Sequence, residues 1–429
     1  MKIAFLLAKF PSISQTFVLN QITGLLDRGH EVDIFSGAIG EQSVLHSDVK
    51  NYRLLDRTFC YGKFGSRSIP ENHFVRFGNA VRLFLNHMDH PLPLLRSMNA
   101  WKFGRDAASL SLFYKTCAFL DRNHDQYDIV HCHFGPNGIL GASLMDLGIF
   151  RGSFLTTFYG YDISGYVKKY GRHVYEPLFE RCEMILCLSE LMRRQLLDLG
   201  CDREKIVVHH LGISTGRFVF SPRTTTADRK IRLLSIARLV EKKGLEYGIR
   251  AVAKVSSRYP GLEYHIAGDG PLMNQLRHLI DSLGSGNCVK LLGWKNQTEI
   301  VRILDDTHIF IAPSVTAEDG DQEGTPTVLM EALAQGIPVL STLHSGIPEV
   351  VVDGKSGFLV PEKDVDALAE ALVSLLDHPE KWPGMGSAGR VHVEENYDID
   401  LLNDRLISLY KQLRDSGLQA SLAKAVSSV

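Results

Sequence analysis

Short runs of β-branched residues alternate along this chain with longer amphipathic segments, in two series separated by one polar stretch. Such alternation specifies βα units feeding a parallel sheet, because each parallel crossover needs a helix-sized connection. In the first series, strands are expected at Lys2 to Leu7, Glu31 to Phe35, Asp128 to Cys132, Ser153 to Thr157, Met184 to Leu188 and Ile206 to His209. Helical patterns lie at Gln15 to Leu26, Asn137 to Leu147 and Glu190 to Leu199. In the second series, strands are expected at Arg232 to Ala237, Glu263 to Ala267, Val289 to Leu292, His308 to Ala312, Pro338 to Ser341 and Gly357 to Val360. Helices there are expected near Gly244 to Ser257, Pro271 to Leu283, Thr298 to Leu304, Thr327 to Gln335 and Val365 to Leu376. The stretch Ser214 to Lys230 holds a proline and a threonine run and reads as a linker. The expected division is an N-terminal domain over 1–213, a linker over 214–230, a C-terminal domain over 231–395 and a helical segment over 396–429 that packs back toward the first domain. Each domain is read as a doubly wound, Rossmann-like α/β unit. Ligands of such sheets sit beyond the carboxyl ends of the strands, so the crevice between two facing domains is the expected binding place.

A length of 429 residues suits two domains of this kind. A formal net charge of −2 excludes a strong global field for nucleic acid. Nowhere do about 18 apolar residues follow one another, so no transmembrane helix is expected. The opening MKIAFLLAKF lacks the charged leader and cleavage site of a signal peptide and reads as a first strand. The seven cysteines are odd in number and form no CxxC pair, which fits buried thiols in a reducing compartment. The expected location is the cytosol.

The most informative segment runs from Asp319 to Ala332, DGDQEGTPTVLMEA. A strand ends before it, a glycine-bearing loop follows, and a proline sits where a helix should begin. Free backbone N–H groups between Gly324 and Thr327, those of Gly324, Thr325 and Thr327 around Pro326, would point into the crevice and favour a phosphate. Glu323 precedes the helix and Glu331 lies two turns inside it, so one carboxylate can reach a sugar hydroxyl and the other a ribose. Read singly, Glu323 is an ordinary acidic residue at a helix N-terminus and Glu331 a solvated helix glutamate. Arg238 and Lys243 follow the first strand of the second series, and two fixed cations there would neutralise a departing diphosphate without a metal. Alone, they are also consistent with a solvated loop.

Glu323 and Glu331 stand with seven residues between them in EGTPTVLMEALAQGIPV, which resembles the E-x7-E donor-site motif of family-4 retaining glycosyltransferases. SIARLVEKKGLEYGI is similar to the phosphate-binding segment of that family, and IAGDGPLMNQL, LLGW and GIPEVVVDGKSGFLVPEKD resemble its later landmarks. HCHFGPNG, TTFYGYDIS and VVHHLGI match family positions in the first half, so the resemblance covers nearly the whole chain. FPSISQTFVLNQI and STLHSGIPE are most similar to glycosyltransferases of colanic acid and amylovoran type exopolysaccharide pathways.

The resemblance implies a GT-B fold, two facing Rossmann-like domains around a cleft, and sugar transfer with retained anomeric configuration. It implies a nucleotide-sugar donor, a carbohydrate or polyprenyl-diphosphate-linked oligosaccharide acceptor, and no metal or other cofactor. Arg238, Lys243 and Glu323 would be catalytic, with Lys243 preferred over Lys242 because it directly precedes glycine. Gly324, Thr325, Pro326, Thr327 and Glu331 would hold the donor. Asp269 and Gly270 would border its base and ribose with Trp294, against the alternatives of a plain turn and a core tryptophan.

On the first domain Ser14, Gln15 and Thr16 either cap the next helix or meet acceptor hydroxyls, in a loop without the glycine pair of many family members. Tyr159, two residues after Thr157 and three before Asp162, replaces a histidine common in relatives and offers a phenol to the sugar side. His133 is expected to face the cleft and His131 to turn away. The Asp319 and Asp321 pair abuts the glutamate motif and is not read as a metal site. No GxGxxG follows the first strand and no GxSxG elbow occurs, which disfavours nicotinamide and hydrolase chemistry. A nucleotide-sugar epimerase and a catalytically silent carbohydrate binder stand as alternatives. Finally, residues 61–120 interleave eight basic side chains with aromatics against three acids, Glu71, Asp89 and Asp106. That pattern predicts peripheral attachment to the inner membrane face, with amphipathic helices packed on the N-terminal sheet and a solvated basic face as the alternative.

Overall fold

The computed structural model describes residues 1–12, 15–40, 46–64, 67–70, 72–121, 126–225 and 230–427. Strands Thr58–Cys60, Glu31–Ile39, Lys2–Phe10, Ile129–His133, Ser153–Thr157, Met184–Cys187 and Ile206–Val208 lie side by side in that order as one parallel sheet. A second parallel sheet follows the order Val289–Gly293, Leu262–Ala267, Ile231–Ile236, Ile309–Ala312, Val339–Thr342 and Gly357–Val360. Helices cover both faces of each sheet, which is why Ile3 to Leu7 are five consecutive buried apolar residues rather than an alternating set. Two layers of core result in each domain, one on either side of its sheet.

Several elements lie beyond the expected ones. Thr58–Cys60 is a three-residue edge strand, too brief to give a period. Between residues 73 and 120 the chain forms four helices, His73–Asn86, Pro91–Ser97, Ala100–Ala108 and Ser111–Leu120. The last of these buries Leu112, Phe113, Tyr114, Cys117 and Phe119. The first does the reverse: Phe74 is 90% exposed and Phe77 65%, and Val81 and Leu85 continue the same exposed stripe at helical spacing. Trp101 is also fully exposed. No helix among the described residues is long and apolar enough to cross a membrane.

The polar stretch after Ser214 is not a loose tether. Phe218 joins the core of the second domain, and Arg390 Nη1 donates to the carbonyls of Thr215, Phe218 and Ala334. Arg223 is buried and donates to the Leu304 carbonyl. After helix Trp382–Tyr397 the chain returns to the first domain: Ile213 pairs with Asp398, whose carboxylate accepts from the Thr215 hydroxyl. Helix Ile399–Ser427 then lies along helix Thr16–Asp27. Asn403 fills the space above Gly24, where a Cβ would collide with its amide. Leu406 and Tyr410 are fully buried in the core that lines one face of the first sheet, and the Tyr410 hydroxyl lies 2.6 Å from His131 Nδ1.

The last helix is therefore part of the first domain's core. Leu406→Ala should cost about 2–5 kcal/mol, the usual range for emptying a fully buried leucine site. Urea unfolding followed by circular dichroism reads this loss, and an unchanged midpoint would show that the helix is only a surface appendage.

Candidate active site between the two sheets

All strands of a parallel sheet end on the same side, and the loops of interest follow those ends. The strand Ile309–Ala312 leads into the segment Pro313 to Pro326, and helix Thr327–Ala334 opens with Pro326 at its N-cap. The first amides of that helix have no partner within it. Thr325 is buried beside them, and its hydroxyl has no hydrogen-bond partner among the described residues. A narrow crevice lined by Ala237, Lys243, Ala312, Pro326 and Val328 runs along this helix start.

Lys243 and Glu323 meet in the crevice. The Lys243 ammonium stands 2.9 Å from Glu323 Oε1, at an angle that leaves this buried oxygen without a proper hydrogen-bond donor. Burial pushes the Glu323 carboxyl up, but Lys243 and Lys242 outweigh it and hold the group below the ordinary carboxylate value. It is therefore ionised at neutral pH. Lys242 serves a separate purpose, pairing with Asp321 at 2.9 Å and donating to the Gln322 carbonyl at 3.2 Å, so it fastens the loop. The turn Glu241–Lys243 is closed by Gly244 at φ 58°, where a Cβ would overlap the Pro313 carbonyl. Glycine is therefore required directly after Lys243. Arg238 is exposed near the same strand end and carries no ion pair among the described residues.

Glu331 lies about one turn into the helix rather than two, because the helix starts only at Thr327, and it is half-buried and without an ion pair among the described residues. Burial pushes its carboxyl up to about 7. The two glutamates of one motif thus have opposite electrostatic settings. Asp269 is exposed and accepts from the Gly270 amide at 2.7 Å, and the Gly268 and Gly270 backbones pack directly against Ala237 and Leu239. Trp294, at the end of the strand Val289–Gly293, is 60% exposed and so is not a core residue.

The facing loops come from the first domain. Gly160 and Gly324 touch backbone to backbone: a Cβ on Gly324 would overlap the Tyr159 carbonyl oxygen. Lys168 Nζ donates to the Glu318 carbonyl at 2.7 Å, and the Glu190 amide donates to Glu349 Oε1 at 2.8 Å. Several first-domain readings change here. Asp162 is only 1% exposed, and its carboxylate accepts from the amides of Gly135, Tyr159 and Gly160; it shapes the loop rather than presenting a group to a sugar. The Tyr159 hydroxyl is buried against His133 Nδ1 at 2.6 Å, so the cleft receives the Tyr159 backbone and not its phenol. His133 is itself fully buried, and burial lowers its ring to about 3, keeping it neutral. His131 does not turn away: residues two apart in a strand share a face, and the two rings stack at 4.2 Å. Gln15 occupies an N-cap but makes no cap hydrogen bond, and Thr16 is exposed, so capping does not account for either. Ser14 lies outside the described residues.

Two residues that touch the Glu323 loop, His344 and Glu362, escaped sequence reading. The Glu323 amide donates to His344 Nε2 at 3.1 Å, and His344 Nδ1 lies 2.6 Å from Glu362 Oε1. The run LHSGIPE marked the place, but nothing in its spacing pointed to Glu362, which belongs to the loop after another strand.

Known proteins fit this geometry. The pattern of the family described as Glycosyltransferase Family 4 matches residues 14–217, and that of Glycosyl transferases group 1 matches residues 218–392. WcaL of Escherichia coli K12, named for colanic acid biosynthesis, is 38% identical over 96% of this chain and 100% of its own. The amylovoran biosynthesis glycosyltransferase AmsK of Erwinia amylovora is 34% identical over the same shares. Among solved structures, HepE of Anabaena in complex with UDP covers 96% of this chain and 100% of its own with a TM-score of 0.69 at 16% identity. Sucrose-phosphate synthase of Thermosynechococcus elongatus covers 97% and 100% with the same score at 18% identity. These last two likenesses concern the fold, the GT-B arrangement of two parallel-sheet domains. Matched along nearly its full length by such relatives, the chain belongs to the family-4 glycosyltransferases, enzymes that transfer sugars.

Proposed function

We propose that this protein is a retaining, metal-independent glycosyltransferase that uses a nucleotide-sugar donor and a lipid-linked oligosaccharide acceptor in exopolysaccharide assembly. The observation that carries the reading is the Lys243–Glu323 pair at the start of helix Thr327–Ala334, where cation, carboxylate and free amides converge. The relatives named for colanic acid and amylovoran biosynthesis supply the pathway class. Family membership favours transfer to an acceptor over the epimerase and silent-binder readings.

In this scheme the diphosphate lies on the helix start, and Lys243 leaves Glu323 to meet it, joined by Arg238. Both cations and the amides from Gly324 to Thr327 oppose the charge that grows as the bond between the anomeric carbon and the phosphate oxygen breaks. Glu323, released from Lys243, orients a sugar hydroxyl. The acceptor hydroxyl attacks the same face of the anomeric carbon, and its proton passes to the departing phosphate oxygen. Trp294 and Asp269 border the base and ribose, Glu331 receives a ribose hydroxyl, and Gln15 and Thr16 stand on the acceptor side.

Lys243→Ala should lower turnover on the order of a hundredfold, the usual loss for one preorganised charge-stabilising group, while nucleotide binding weakens less. A panel of UDP-, GDP- and ADP-sugars, scored for hydrolysis and transfer, identifies the donor for this comparison. Activity should persist in excess EDTA, and a requirement restored by magnesium or manganese would overturn the metal-independent scheme.

Glu331 supplies a pH test. Its raised carboxyl must ionise to become a strong acceptor for ribose, so nucleotide affinity should rise as pH increases through about 7 and level off above it. Calorimetric titration of UDP or GDP at pH 6 and 8 should show this rise in the parent over and above that in Glu331→Gln. Equal pH dependence in both proteins would remove Glu331 from the donor site.

The exposed stripe on helix His73–Asn86 together with Trp101 supports peripheral attachment to an anionic membrane. Arg82, Arg96 and Arg105 flank it in solvent. Arg76 instead binds the carbonyls of Pro70 and Ser109, and Lys102 pairs with Asp146, so neither is available as a lone surface cation. Glu71 lies outside the described residues. The protein should float with anionic vesicles at low salt, and Phe77→Asp with Trp101→Asp should release it. Equal recovery with neutral and anionic vesicles would count against the charge contribution, and no recovery with either against attachment altogether.

A further inference from the structure

The Glu323 peptide is held on both sides by neighbouring residues of one loop: its N–H donates to His344 Nε2 at 3.1 Å, and its carbonyl accepts from the Ser345 hydroxyl at 2.6 Å. His344 is fully buried. Accepting from an amide requires Nε2 to carry no proton, so the ring must be neutral with its proton on Nδ1. Glu362 selects that tautomer, because its Oε1 lies 2.6 Å from Nδ1 and accepts that proton's hydrogen bond. Glu362 is itself anchored: its Oε2 accepts from the Thr316 amide at 2.7 Å. Thr316 in turn belongs to the segment that leads into Glu323, and its hydroxyl accepts from the Gln322 side chain at 3.2 Å. The chain of contacts therefore closes on itself, from Glu323 through His344 and Glu362 to Thr316 and back through Gln322.

We propose that His344 and Glu362 are positioning residues for sugar transfer, fixing the Glu323 backbone so that its carboxylate meets the donor sugar. The proposal rests on the donor-cleft reading given above. A protonated or inverted imidazole would place an N–H against the Glu323 amide, and the two donors would repel. The loop would then move and carry the carboxylate off line, whereas the helix start and Lys243, which hold the diphosphate, would stay where they are. Orientation errors of about 1 Å near a reacting centre reduce turnover by as much as roughly a hundredfold.

The test uses Glu362→Ala, His344→Gln and His344→Leu in the full-length chain. Turnover is measured on whichever sugar nucleotide the parent hydrolyses, alongside UDP or GDP titration and thermal unfolding. Glu362→Ala should lower turnover about tenfold or more with nucleotide affinity within about twofold of the parent. His344→Gln, which keeps an acceptor, should retain more turnover than His344→Leu, which does not. Glu362→Ala combined with His344→Leu should be no worse than His344→Leu alone, since both act through one ring. Independently of activity, nitrogen-15 spectra of labelled histidines should show His344 protonated at Nδ1 in the parent and shifted from that form in Glu362→Ala. A ring protonated at Nε2 in the parent, or parent-like turnover in Glu362→Ala, would overturn the proposal. So would nucleotide affinity and melting temperature that fall in step with turnover, the mark of a merely structural role. Failure of the parent to bind any of the nucleotides would instead sink the donor-cleft reading itself.

Discussion

Every strand in the two large sheets runs parallel to its neighbours, and most of what this protein can do follows from that constraint. Parallel pairing sends all carboxyl ends of a sheet to one side, where the connecting loops must gather. Two such edges face each other here, and the chain lets them meet at backbone distance through Gly160 and Gly324. Any side chain at Gly324 would strike the Tyr159 carbonyl, so the width of the cleft at this point is set by two missing Cβ atoms.

Within that narrow space, one helix start handles two carboxylates differently. Glu323 has two lysines beside it and remains charged despite burial, whereas Glu331 has no such company and drifts up to about 7. A buried ion pair such as Lys243 with Glu323 contributes little net stability, because desolvation of both charges offsets their attraction. In the proposed scheme its value lies in readiness, since the two groups already stand together at the helix start before a substrate arrives.

Strands were legible where burial on both faces makes them apolar throughout; the runs Ile3 to Leu7 and Ile309 to Ala312 needed no context. Glu323, Glu331 and Lys243 were legible because they sit on one local pattern around one helix start and one turn. What escaped depends on contacts between distant loops. His344 and Glu362 are 18 residues apart on separate loops, and only the folded sheet brings them together. Asp162 read as a polar group for a ligand, yet three backbone amides claim it. The segment between residues 73 and 120 reads in sequence only as a basic-aromatic surface or as amphipathic helices packed on the sheet, and the bounds of its four helices escaped because one, His73–Asn86, turns its apolar stripe outward while another, Ser111–Leu120, buries its own.

The return of the last helix onto helix Thr16–Asp27 has a consequence for how the protein is made. A ribosome delivers the first domain's strands and helices well before it delivers Leu406 and Tyr410, at rates of about 5–20 residues per second. Throughout that interval, the face of the first sheet that these two residues cover lies open, although nearly all of its own domain has been synthesised. The nascent chain thus carries a sticky surface for tens of seconds, by order-of-magnitude arithmetic on that rate, and final closure of the earliest-made domain waits on the latest-made segment.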